Sequence, residues 1–258
     1  MPIQNHHNRS SQKSTVLGKQ LLAMSPVRQS NSDVEPHWPK DRGDARYDEL
    51  AGFSIRSFLC TGGLWIDVGP GTDASPMKQV LSNCAIKVKA IGPHHRNLPT
   101  AVAFTRGSVP THLQFLRSNR ERAKLVTDIY GAVSYCEDPI QSLIYEALLL
   151  TDGGVLVAFT ELHRFGDLGV WDRITNFMRC NLRQTVSFQT KSDFGDDSQT
   201  FSTCLRIRVD GRAFTRYRLR ILFENARREI GVPKHGAGLW VSSDGKAVIQ
   251  RVDYVLTT

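Results

Sequence analysis

The chain has 258 residues, 40% of them hydrophobic, which is enough for one large packed domain and excludes a wholly disordered protein. Lysine and arginine outnumber the acids 33 to 25, a formal charge of +8 that permits contact with nucleic acid but selects no fold. No apolar run approaches the roughly 20 residues that span a bilayer, and the first residues lack the apolar region of a secretory signal. Cys60, Cys84, Cys136, Cys180 and Cys204 form no Cys-x-x-Cys pair, so neither a disulfide framework nor a zinc site is expected, and a cytoplasmic setting is.

Residues 1–44 are rich in Ser, Gln, Asn, His and Pro and read as a flexible or partly helical arm, with a short helix over Val16 to Met24. A lid over a substrate is the sharper reading, and Trp38 is the residue that would serve it. Ala45 to Leu59 has helical apolar spacing through Tyr47, Leu50, Ala51, Ile55 and Leu59. A first strand is expected over Leu64 to Val68, carrying one acid, Asp67, and ending in Gly69-Pro70-Gly71-Thr72. Glycines in such a turn allow φ > 0 and let a ligand approach bare backbone. Ser75 and Pro76 then read as N-cap and first residue of a helix to Ser82.

A second strand over Ala85 to Ile91 runs into Gly92-Pro93-His94-His95, and a third over Thr100 to Phe104 runs into Thr105-Arg106-Gly107-Ser108. His94 and His95 are adjacent, point apart and have no third ligand in view, so no metal is expected. Leu113 to Asn119 is a short helix. Strand four is expected through Leu125 to Thr127, ending at Asp128 and breaking at Gly131. Asp138 and Pro139 open a helix over Ile140 to Leu150, and Gly153-Gly154 lead into strand five over Val155 to Phe159. A helix from Asp172 to Cys180 precedes two half-buried strands, Gln184 to Gln189 and Phe201 to Val209, with Arg206 and Arg208 expected on the exposed face. Arg218 to Ile230 reads as a basic helix or long strand, and Gly236 to Val241 with Ala247 to Val255 as a hairpin around Asp244-Gly245.

The Asp-x-Gly-x-Gly of Asp67, Gly69 and Gly71, strand four ending at Asp128, and Leu-x-x-Gly-Gly before strand five occur in the order of the class I S-adenosylmethionine-dependent methyltransferases. The chain resembles that family over residues 45–210. The resemblance implies an α/β, Rossmann-like, seven-stranded, mostly parallel sheet with an antiparallel last strand and helices on both faces. Residues 211–258, beyond the resemblance, read as a C-terminal β extension packed on the same domain or as a substrate-side appendage. The resemblance also implies S-adenosyl-L-methionine as cofactor, held by Asp67, Val68, Gly69, Pro70, Gly71, Thr72, Gly92, Ser108 and Asp128. Asp67 would meet the amino group or orient the turn.

In the family an acid commonly ends strand two to hold the ribose, and another near the end of strand three meets adenine. Here Gly92 and Ser108 stand near those places, with His94 or Asn97 as alternative polar contacts. Asp128, Tyr130 and His112 are candidates beside the methyl acceptor, Asp128 or His112 as base where one is needed. A turn-capping role for Asp128 is the equal alternative. The acceptor (small molecule, protein or RNA) is left open. Two rival readings are a nicotinamide-dependent oxidoreductase and a non-catalytic binding protein on a degenerate methyltransferase scaffold.

Overall fold

The computed structural model describes residues 45–70, 77–78, 81, 86–92, 98–106, 122–129, 131–136, 138–161, 165, 169–192, 201–210, 219–234, 240–241, 247–248 and 252–256. The expectations for residues 1–44 and for Gly71, Thr72, Ser75, Pro76, His94, His95, Asn97, Ser108, His112, Leu113–Asn119 and Tyr130 lie outside the described residues.

Seven strands form the main sheet: β1 (Leu64–Val68), β2 (Lys87–Gly92), β3 (Val102–Arg106), β4 (Ala123–Ile129), β5 (Leu150–Glu161), β6 (Gln184–Ser192) and β7 (Phe201–Val209). Their spatial order is β3-β2-β1-β4-β5-β7-β6. Strands β1 to β5 are mutually parallel, and β7 runs antiparallel between β5 and β6. This is the Rossmann-like α/β sheet that the resemblance implied, and its one reversed strand is the last of the seven in sequence. β1 is buried at all five positions, as befits a strand covered on both faces.

Alternation along the strands sorts the core into two layers. Trp65, Leu125, Val157 and Phe159 face helices α1 (Ala45–Ala51) and α2 (Ile55–Leu59). Ile66, Val68, Val126 and Leu156 face α3 (Ala132–Tyr135), α4 (Pro139–Leu148), α5 (Gly169–Leu182) and α6 (Leu219–Glu229). Every residue of α4 is buried. On its outer side Tyr145 meets Phe223 of α6 with ring centroids 4.9 Å apart, and the Tyr254 hydroxyl accepts from Ile140 N at 3.1 Å. Tyr254 belongs to β11 (Tyr254–Val255), which pairs with β8 (Val232–Pro233).

Several boundaries differ from the sequence reading, each for a local reason. The helix expected over Ala45 to Leu59 is two helices, broken at Gly52 with φ +72. Asp48 Oδ1 then accepts from Ile55 N at 2.8 Å and Ser54 caps α2, so side chains replace the lost helical partners. The helix after Pro139 stops at Leu148, before the glycine pair. Gly153 takes φ +68 within the long β5 and does not terminate the helix. Arg206 is half-buried, because its guanidinium donates to Leu50 O at the end of α1 (2.9 Å), whereas Arg208 is exposed as expected. Residues 219–229 are helical rather than extended. Among the described residues the hairpin pairs β9 (Trp240–Val241) with β10 (Ala247–Val248), and Tyr254–Val255 pairs with β8.

Candidate functional site

In an open parallel sheet, ligands bind beyond the carboxyl ends of the strands where the strand order reverses. Here that point lies between β1 and β4, because the chain leaves β1 toward β2 and β4 toward β5. The register sets Asp67 beside Thr127 and Val68 beside Asp128, so both candidate acids stand at the switch point. Since they differ by one position along the paired strands, their side chains leave opposite faces.

Asp67 lies on the α1 face and is 1% exposed. Trp65 Nε1 donates to Thr127 Oγ1 at 2.9 Å, and that hydroxyl donates to Asp67 Oδ1 at 2.5 Å. With its acceptor side taken by Trp65, the Thr127 hydroxyl has its proton directed at the carboxylate. Asp67 Oδ2 accepts no hydrogen bond of ordinary geometry among the described residues, and the Tyr47 hydroxyl is the described donor directed at this carboxyl. Burial pushes the Asp67 carboxyl up to about 7, Thr127 pulls it down, neighbouring Asp128 raises it, and the Tyr47 hydroxyl lowers it. The ring of Tyr47 packs edge-on to Trp65 at 6.1 Å, so α1 presses directly on this corner.

Asp128 lies on the α3/α4 face and is fully buried. Its Oδ1 accepts from Gly131 N at 2.8 Å and its Oδ2 from Val133 N at 3.0 Å. Both oxygens thus bind the turn that opens α3, which is the capping role weighed against a base. Burial raises the Asp128 carboxyl, while contact with Glu146 and the turn amides lowers it.

Two glycines lock the turns together. Gly69 has φ +69, and a Cβ there would stand 2.7 Å from Gly131 Cα. A Cβ on Gly131 would stand 2.3 Å from Val68 O and 2.8 Å from Asp128 Oδ1. Gly69 N also donates to Ile91 O at 2.8 Å, tying the same turn to β2. Gly69 is therefore required by backbone-to-backbone packing, a reason the sequence reading did not supply. Pro70 is buried, and Gly92 ends β2 opposite Arg106, offering backbone alone.

The orphaned Oδ2 of Asp67 fits a cationic amino group such as that of S-adenosylmethionine. Among the described residues, Gly92 at the end of β2 brings no side chain toward a ribose. Thr127, Tyr47, Gly131 and Glu146 were missed from sequence. Thr127 was legible in principle, because parallel pairing of the two central strands sets it directly beside Asp67. Among the described residues no cluster suited to a metal ion occurs, and no helix is long and apolar enough to cross a membrane.

No family profile and no curated protein matches the chain. Among solved structures it is similar to a candidate SAM-dependent methyltransferase from Streptococcus mutans, with TM-score 0.46 and 14% identity over 64% of this chain and 49% of that one. The chain thus spans about half the length of that relative. It is also similar to the 1,6-didemethyltoxoflavin-N1-methyltransferase of Burkholderia thailandensis, with TM-score 0.43 and 12% identity over 81% and 94% of the two chains. Coclaurine N-methyltransferase gives TM-score 0.41 and 11% identity over 80% and 88%.

Proposed function

We propose that the protein binds S-adenosyl-L-methionine at the carboxyl ends of β1 and β4 and transfers its methyl group to an acceptor. The observation that carries this reading is Asp67: a buried carboxylate at the switch point, one oxygen fixed by Thr127 and the other without a hydrogen bond of ordinary geometry among the described residues. Buried polar atoms are rarely left unpaired. A ligand ammonium would complete this one and offset the repulsion from Asp128. A dinucleotide would bring a pyrophosphate to the same corner, where a buried carboxylate opposes it, and the strand-two acid that a nicotinamide ribose would want is replaced by Gly92.

When bound, S-adenosylmethionine supplies an activated methyl group, so the protein's share of the work is position and electrostatics. Asp67 accepts from the amino group. Gly69, with Pro70, Gly71 and Thr72, forms the turn that admits the methionine portion, and Val68, Gly92 and Ser108 line the rest. Asp128 holds the 128–133 turn in shape. This favours an acceptor that is nucleophilic without help, or one served by Tyr130 or His112. The acceptor class is open: a small molecule, a protein or an RNA, the last allowed by the basic charge. Non-catalytic binding on the same scaffold is the second reading, favoured by the engagement of both Asp128 oxygens.

Calorimetry with S-adenosylmethionine, S-adenosylhomocysteine and NAD tests the proposal. Saturable binding of the first two alone is expected. Binding of NAD alone, or of none, overturns it.

A further inference from the structure

Glu146 lies near the end of α4, 0% exposed, and neither of its carboxyl oxygens accepts a hydrogen bond from a described donor. It faces Asp128. Asp128 is already fully engaged as an acceptor from Gly131 and Val133. Two carboxylates in contact inside a core cannot both be ionised, and no cation acts on either among the described residues. The proton belongs on Glu146: burial and the neighbouring Asp128 push its carboxyl well above the usual range, whereas the turn amides favour charge on Asp128.

We propose that Glu146 is a positioning residue whose carboxyl donates a hydrogen bond to Asp128, fixing the carboxylate that shapes the 128–133 turn against Gly69. The inference rests on the methyltransferase reading only for its consequence, since the 128–133 turn abuts the proposed cofactor turn. The linkage itself stands on the protein alone. Without the donor, Asp128 is free to rotate, the Gly131 and Val133 amides lose their partner, and the two glycine turns part. A donor of the same reach, such as a glutamine amide, should substitute. An apolar isostere should not, because it leaves the buried Asp128 carboxylate without its donor.

The test compares Glu146→Met and Glu146→Gln with the parent by amide hydrogen exchange and thermal melting. In Glu146→Met, Gly131 and Val133 should exchange about tenfold faster or more relative to Val126 in β4, beyond what any fall in melting temperature accounts for. Glu146→Gln should keep both amides within about threefold of the parent. A loss of protection confined to the turn distinguishes positioning from a purely structural role, which would speed exchange at Val126 by the same factor. Unchanged protection in Glu146→Met, or equal loss in Glu146→Gln, overturns the proposal. If Glu146→Met does not fold, Glu146→Gln alone decides by the same criterion. Titration with S-adenosylmethionine adds the consequence: an affinity about tenfold weaker in Glu146→Met and restored in Glu146→Gln. A parent protein that binds no S-adenosylmethionine would sink the functional reading while leaving the exchange result to judge Glu146.

Discussion

Asp67 couples stability to pH in a direction opposite to that of a salt-bridged acid. Its folded value near 7 stands above the roughly 3.9 of an unfolded aspartate, so the unfolded chain gives up its proton first. Stability from this site is therefore greatest below about pH 4, declines between about pH 4 and 7, and is level above that. The full swing is on the order of 4 kcal/mol, three pH units at about 1.4 kcal/mol each. Asp67→Asn should consequently stabilise the ligand-free protein by about 1–3 kcal/mol at pH 8 and by nearly nothing at pH 4, as read by urea unfolding. Ligand binding should move the other way. An ammonium needs the ionised carboxylate, so affinity for S-adenosylmethionine should rise about tenfold from pH 6 to pH 8 and vanish in Asp67→Asn. A flat pH profile in calorimetry would remove Asp67 from the site. At Gly131 the obstacle is steric: Gly131→Ala drives a Cβ into Val68 O and should cost about 1–3 kcal/mol. Gly153→Ala meets nothing within 4 Å and should cost only the roughly 1 kcal/mol of its positive φ.

At the scale of elements, β1 was legible because an apolar run ended by Gly-Pro-Gly has few other readings, β5 because a continuous apolar run follows the glycine pair, and β6 and β7 because their alternation is clean. The break between α1 and α2 was not. It depends on Gly52 turning left-handed and on Asp48 and Ser54 replacing helical partners, and the apolar spacing runs straight through it. The burial of Glu146 was hidden for a different reason. A single glutamate in a helix ordinarily faces water, and only the packing of α4 on the sheet turns this one toward Asp128 of β4. The pin between β11 and α4 can be measured. The Tyr254 hydroxyl accepts from Ile140 N and donates to Asp138 Oδ1 at 2.7 Å, so Tyr254→Phe orphans a buried amide and should lower stability by about 1–3 kcal/mol in urea titration.

The whole molecule carries its site on a rigid frame, with the β1 and β4 turns fixed to β2 and to each other. A ligand that binds only this folded frame adds stability by mass action, about 2.7 kcal/mol at a hundred times its dissociation constant. Melting should therefore shift upward with S-adenosylmethionine or S-adenosylhomocysteine and stay put with NAD, and the absence of any shift would argue for an empty scaffold. The sealing of α4 also has a consequence for how the protein is made. Ile140 and Tyr254 lie 114 residues apart. At a synthesis rate of about 5–20 residues per second, the ribosome leaves that greasy helix uncapped for roughly 6 to 23 seconds before its cover emerges. Over that interval the nascent chain presents a sticky surface, and a chaperone that shelters it would decide the yield of soluble product.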